Sequence, residues 1–78
     1  MMVKAYILIK VESGKVDLVL KELLKLSVTD EAHKVFGPFD IVLEAIARDV
    51  EAVVDILLTK IRTIEGLTDT QTLLVVDA

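Results

Sequence analysis

Few residues in this 78-residue chain could perform chemistry, and the histidine and cysteine counts show this directly. His33 is the only histidine and cysteine is absent, which excludes a thiolate nucleophile, a disulfide and a Cys-ligated zinc site. Carboxylates are the only co-ligands left for His33, and no HxH, HExxH or EF-hand spacing occurs. The two serines, Ser13 and Ser27, lie outside any nucleophile elbow. We therefore predict no catalytic residue, metal site or cofactor, and interpret His33 as a surface or interface residue of a strand.

Two polar stretches interrupt the apolar remainder of the chain: Gly37-Pro38-Phe39-Asp40 and residues 66–72. Alternation along a strand places three hydroxyls of the second stretch on one side, those of Thr68, Thr70 and Thr72. A carboxylate such as Asp40 accepts from an ammonium group, whereas hydroxyls and backbone N–H groups near Gly37 donate to a carboxylate. A free amino acid carries both groups, so the two stretches are candidate ligand-binding segments. Gly-Pro is also typical of a turn, and a run of threonines is typical of a strand.

The elements that must position these stretches form a repeat. The sequence matches itself at an offset of 34 residues, which aligns Ile7 with Ile41. Alternating and β-branched residues predict four strands, at Val3–Val11, Val28–Phe36, Ile41–Ala47 and Thr68–Val76. Helices with apolar stripes are predicted after the candidate N-caps Ser13 and Asp49, the second stripe including Val50 and Val54. The order predicts an α+β, ferredoxin-like βαββαβ fold, a four-stranded antiparallel sheet with both helices on one face.

Such a fold leaves one face of the sheet uncovered. On the first strand, alternation places Tyr6 and Leu8 on the face opposite Ile7, flanked by lysines. Val42 and Ile46 of the third strand, with Leu73 or Leu74 of the last, extend this apolar patch. Small monomers seldom expose large apolar patches, so we predict a homodimer with Tyr6, Leu8, Val42 and Ile46 in its interface.

Composition narrows the class of protein. The length fits one domain, residues 1–78. The hydrophobic fraction of 54% argues against disorder, and no apolar run is long enough for a membrane span or a signal peptide, so we expect a soluble chain of the cytoplasm. The net charge of −4 has the wrong sign for binding nucleic acid directly.

Three segments resemble a known family. Phe36-Gly37-Pro38-Phe39-Asp40-Ile41-Val42 is similar to the Gly-x-Tyr/Phe-Asp stretch in the effector domain of Lrp/AsnC-type transcriptional regulators, the RAM domain. Residues 64–72 resemble that family's Ile/Pro-Gly-Val-x-x-Thr-x-Thr ending. Tyr6-Ile7-Leu8-Ile9 with Gly14-Lys15-Val16 resembles its opening strand and helix start. The resemblance covers essentially the whole chain and agrees with the predicted fold.

The resemblance implies a dimeric α+β barrel of facing sheets, dimers that associate further up to an octamer, and an amino acid or related small effector bound at the contacts between dimers. The ligand-binding residues that carry over are Gly37, Asp40, Thr68, Thr70 and Thr72. Pro38 departs from the polar or acidic residue more common in the family and removes one N–H donor.

The first strand is predicted to start at Val3, so we expect a RAM domain without the helix-turn-helix module of typical members. Such a chain would modulate transcription through assembly, with itself or with a full-length Lrp/AsnC regulator, and not by binding DNA directly. Two alternatives stay open: a small ferredoxin-like dimeric enzyme of the cofactor-free monooxygenase type, and an ACT-like amino-acid-binding module. We expect no enzyme, because such enzymes need well-placed polar groups and the chain has no Trp or Asn.

Overall fold

The computed structural model describes residues 2–76, and its elements follow the predicted order. They are β1 (Val3–Val11), α1 (Val16–Leu24), β2 (Thr29–Lys34), β3 (Ile41–Ala47), α2 (Val50–Ile56) and β4 (Leu67–Leu74). A π-helical turn, Leu57–Ile61, continues α2 directly. The strands form one antiparallel sheet in the order β2-β3-β1-β4, which confirms the ferredoxin-like fold.

The helix starts show one correct and one wrong prediction. Asp49 is the N-cap of α2, and its Oδ1 accepts a hydrogen bond from Ala52 N at 2.8 Å. Ser13 is not the N-cap of α1: Gly14 adopts a φ of 82°, and Lys15 occupies the cap position without a side-chain hydrogen bond. The backbone N–H of Lys15 donates instead to Glu12 O at 3.0 Å, closing a turn that delays the helix.

The core lies between the helices and one face of the sheet. Alternate residues of β1 and β3, among them Ile7, Ile9 and Leu43, are almost completely buried against Val19 and Leu23 of α1 and Val53 of α2. The predicted stripe of α2 is partly wrong, because Val50 and Val54 are 45% and 46% exposed. Each helical residue rotates the side-chain direction by about 100°, so the residue after buried Val53 already faces solvent.

Gly66 sets the close approach between the start of β4 and α1. Its φ is 96°, and a Cβ added there would lie 2.9 Å from Lys15 Cβ. Glycine is therefore required both by the backbone conformation and by the contact.

The opposite face of the sheet carries no helix and is called the open face below. It presents Lys4, Tyr6, Leu8 and Lys10 of β1, Val42, Glu44 and Ile46 of β3, Glu31 and His33 of β2, and Asp69, Gln71 and Leu73 of β4. Leu73 pairs with Tyr6 on this face, whereas Leu74 pairs with buried Ala5 and so points to the helix side. No helix between residues 2 and 76 has the length and apolar character needed to span a bilayer.

Candidate functional site

Asp40, predicted to bind a ligand ammonium group, joins the loop between β2 and β3 to the end of β1. Its backbone N–H donates to Ile9 O at 2.9 Å, and its backbone O accepts from Val35 N at 2.9 Å. Its Oδ2 accepts from the backbone N–H of Val11, also at 2.9 Å. Ile41, the first residue of β3, pairs with Ile9, so the Asp40 carboxylate extends the contact with β1 two residues further, to Val11.

The second predicted stretch reaches the other side of the same short segment of β1. Glu12 N donates to Gly66 O at 2.7 Å, while Val11 N donates to Asp40 Oδ2 at 2.9 Å. Two successive N–H groups thus hold the two stretches on either side of β1. The sheet spacing of about 4.8 Å per strand puts Asp40 and the start of β4 roughly 10 Å apart.

The three threonines do not share one environment. Thr70 and Thr72 pair with Ile9 and Ile7, which places both on the helix side of the sheet. Thr68 falls at a register shift between β1 and β4 and is exposed. Thr72 Oγ1 is buried and has no hydrogen-bond partner within residues 2–76. A buried hydroxyl left unpaired costs about 1–3 kcal/mol, so the fold gains nothing from this oxygen.

Gly37 and Pro38 lie in the exposed loop between β2 and β3, next to a fully exposed Phe36. An open groove of about 400 Å³ lies elsewhere, between α1 and the π-helical turn, and Leu18, Lys60 and Glu65 contribute to its lining. None of the five predicted ligand residues lines that groove. Gly37, Asp40 and Thr68 lie toward the end of the sheet where the loop, β1 and β4 meet, whereas Thr72 lies opposite Ile7 in the middle of β1.

The four residues predicted for a dimer interface come together on the open face. Tyr6 and Leu8 alternate along β1, and β3 places Val42 opposite Leu8 and Ile46 opposite Lys4. All four side chains are half-buried. Charged groups border them: Lys4 Nζ lies 3.0 Å from Glu44 Oε1 and 5.4 Å from the centre of the Tyr6 ring. The hydrogen bond to Glu44 and the charges of Tyr6 and Glu44 raise the pKa of Lys4 above its ordinary value.

Sequence reasoning missed one cluster on this face. Single ligand atoms of Glu31, His33 and Glu44 all lie within 4.8 Å of one another, and His33 Nε2 is 2.8 Å from Glu31 Oε1. The i, i+2 spacing of Glu31 and His33 on a strand could have indicated a shared face. Glu44 could not be added without the register of β2 against β3.

The described residues thus form a ferredoxin-like sheet with one face free of helices and a polar hairpin end, an architecture that many kinds of small domain share. The profile of the Lrp/AsnC ligand binding domain matches residues 4–78. The chain therefore belongs to the Lrp/AsnC ligand-binding domain family, a family of non-enzymatic regulator domains, and is a regulatory sensing domain.

Solved structures agree with this assignment. TTHA0845 from Thermus thermophilus superimposes with a TM-score of 0.94 at 30% identity, covering 97% of this chain and 95% of that one. E. coli AsnC gives a TM-score of 0.92 at 28% identity over 97% of this chain, which spans 52% of AsnC. The Neisseria meningitidis regulator NMB0573, solved in complex with L-Met, gives 0.86 at 18% identity over 96% of this chain and 50% of that one, and so shows the shared fold alone. No curated protein sequence matches the chain.

Proposed function

We propose that this chain senses a free amino acid at the hairpin end of its sheet and couples that binding to assembly of its subunits. The observation that carries the proposal is the placement of the Asp40 loop and the Gly66 segment on either side of the end of β1, joined to it by hydrogen bonds of 2.9 and 2.7 Å.

The chemistry at this end of the sheet suits both charges of an amino acid. Asp40 uses Oδ2 for Val11, which leaves Oδ1 to accept from a ligand ammonium group. The exposed backbone N–H groups around Gly37 and the hydroxyls of Thr68 and Thr70 can donate to the carboxylate end. The neisserial regulator with bound L-Met supports an amino acid as the ligand class.

Assembly is part of the proposal because the ligand residues do not enclose a cavity by themselves. Asp40 is half-buried and Gly37 is exposed, so a ligand held by one chain alone would keep much of its surface in water. A neighbouring subunit can close the site, and ligand binding then favours the assembly that completes it. The open face supplies the primary dimer contact through Tyr6, Leu8, Val42 and Ile46. Further association of dimers, up to an octamer, or co-assembly with a full-length regulator extends the same mechanism.

A thermal-shift screen against the twenty amino acids tests the ligand. We expect one or a few to raise the melting temperature, because a ligand that binds only the folded state stabilises it. Asp40→Asn should abolish this response while retaining the fold, since an amide oxygen can still accept from Val11 N. A flat screen at millimolar concentrations, or a full response in Asp40→Asn, contradicts the proposed site.

Thr72→Val should raise the free energy of unfolding by roughly 1 kcal/mol, because a methyl group replaces an unpaired hydroxyl.

Light scattering and sedimentation test the assembly. We expect the mass of a dimer or larger at micromolar concentration, and Leu8→Glu should reduce it to that of one chain by placing a charge in the interface. Leu18→Glu is the matched control, because Leu18 is 58% exposed on α1, away from the open face. A monomeric wild-type chain, or equal effects of the two substitutions, would exclude the sheet-face dimer.

A further inference from the structure

Three side chains capable of binding a metal converge on the open face near its β2 edge. Glu31 and His33 belong to β2 and Glu44 to β3, and one ligand atom from each lies within 4.8 Å of the other two. The Nε2 of His33 is already 2.8 Å from Glu31 Oε1. These residues take no part in the proposed amino-acid site.

The strand register creates this convergence. A register shift between Thr29 and Glu31 places Glu31 directly opposite Glu44, with His33 two residues further along the same face. Directly opposite residues in an antiparallel pair have Cβ atoms about 4.5–5.5 Å apart. The backbone thus holds the three side chains at a fixed spacing, and only their rotamers remain to be adjusted.

The electrostatics of the cluster favour a cation. Like charges directly opposite each other destabilise a pair of strands. Lys4 balances one of the two carboxylates, with its Nζ 3.0 Å from Glu44 Oε1. The carboxylate of Glu31 lies beside both Glu44 and the imidazole of His33, and within residues 2–76 no lysine or arginine forms an ion pair with it. Lys4 contacts a single oxygen of Glu44, so the second oxygen can serve as a metal ligand.

We propose that Glu31, His33 and Glu44 form a binding site for a divalent transition metal of the zinc class. Imidazole nitrogen suits zinc and similar ions, whereas magnesium and calcium prefer sites made of oxygen alone. Three protein ligands and one open position form a common zinc arrangement. Ligand atoms about 2.1 Å from a tetrahedral metal lie about 3.4 Å from one another, so a small rotamer change of the exposed Glu31 and His33 side chains completes the geometry. This site goes beyond the proposed sensing function and shares the open face with the proposed dimer contact, since His33 lies opposite Val42.

Zinc titration of the chelator-treated chain near neutral pH, in competition with a chromophoric chelator, tests the proposal. We expect saturable binding of one Zn²⁺ per chain, with no comparable binding of Mg²⁺ or Ca²⁺. Glu31→Gln, His33→Ala and Glu44→Gln should each weaken zinc binding by at least about tenfold, the scale of loss found even for outer-shell partners. Asp30→Asn is the matched control, because Asp30 is an exposed carboxylate of the same strand outside the cluster, and it should leave the affinity unchanged.

The single histidine supplies a second, direct readout. Zinc should shift the imidazole NMR signals of His33 at the same stoichiometry as the titration, and far-UV circular dichroism should show that each variant remains folded. Absence of saturable binding, zinc binding that survives His33→Ala, or imidazole signals that zinc leaves unmoved would each overturn the proposed site. Because no amino acid is present in this experiment, its outcome is separate from that of the ligand screen.

Discussion

Ile7 and Leu8 are neighbours on β1, yet they belong to two surfaces with different composition. Ile7 is 1% exposed and packs in a core whose buried side chains are all apolar, whereas Leu8 is half-buried on the open face. The open face interleaves its apolar residues with Lys4, Glu44, Glu31 and His33. One surface of the sheet thus forms the core, and the other is available for binding.

The helix-covered surface is mostly apolar, because a polar group buried there loses its water without a partner, as the Thr72 hydroxyl does. The open face mixes partly exposed apolar side chains with charged ones, Glu44 lying between Val42 and Ile46 on β3, and such a surface suits the binding of another molecule. The proposed dimer contact and the proposed metal site both lie on this face. Substitutions on the helix side of β1 should therefore lower the free energy of unfolding, whereas substitutions on the open face should mainly weaken association.

The largest expected effect is that of Ile7→Ala. Removing a fully buried side chain leaves a cavity, so the free energy of unfolding should fall by about 2–5 kcal/mol in urea denaturation. Leu8→Ala, its matched partner, should cost the dissociated chain about 1 kcal/mol, because half-buried methylene groups contribute only part of their ~0.8 kcal/mol each. The main effect of Leu8→Ala should appear in the dimer dissociation constant. A dissociated chain that loses as much stability from Leu8→Ala as from Ile7→Ala would mean that the open face belongs to the core.

The two surfaces also differ in how well they could be predicted from the sequence. Strands β1 and β3 match their predicted bounds, because both are largely apolar, alternate between the buried and the open face, and are followed by polar residues. The open-face positions of Tyr6 and Leu8 follow from the same alternation. Predictions that needed contacts between elements were less accurate. Ser13 is not the N-cap of α1, because Gly14 inserts a turn before the helix. Val54 is not buried, because the sheet contacts only a narrow stripe of α2.

The candidate sites were predictable only in part, and for a physical reason. The Gly-Pro-Phe-Asp stretch is local, so Asp40 could be singled out, but its hydrogen bond to Val11 spans 29 positions and is not encoded in any local pattern. The Glu31, His33 and Glu44 cluster depends on a register shift in β2, and a shift of one residue would have sent His33 to the other face. Register is a property of the assembled sheet and could not be read from either strand alone.

The next effect in size concerns Asp40, which joins the loop to β1. Asp40→Ala leaves the part-buried N–H of Val11 without its acceptor, so the free energy of unfolding should fall by about 1–3 kcal/mol. Asp40→Asn retains an oxygen in the same place and should cost clearly less. Urea denaturation of both variants measures the difference, and hydrogen exchange at Val11 N localises it. Equal losses in the two variants would show that the charge of Asp40, and not its hydrogen bond, stabilises this end of the sheet.

The smallest expected effect comes from the Lys4 and Glu44 pair on the open face. Glu44 is the main cause of the raised pKa of Lys4, so the folded chain holds the Lys4 proton more tightly than the unfolded chain does. The resulting stabilisation is fully present below the ordinary lysine pKa of about 10.4 and is lost as the pH rises through the higher value of the folded chain. Because the pair is partly exposed to water, salt should weaken the effect further.

Glu44→Gln removes the charge that raises the pKa of Lys4, so the stability of this variant should fall less steeply with alkaline pH than that of the wild type. Urea denaturation over a series of alkaline pH values, at low and at high salt, measures the two slopes. Ile7→Ala is the control, because a core substitution lowers stability at every pH without changing the slope. Equal slopes of stability against pH for Glu44→Gln and the wild type would contradict the pairing of Lys4 with Glu44. A difference at low salt that shrinks at high salt would show that charge contributes to stability on the open face, unlike in the core.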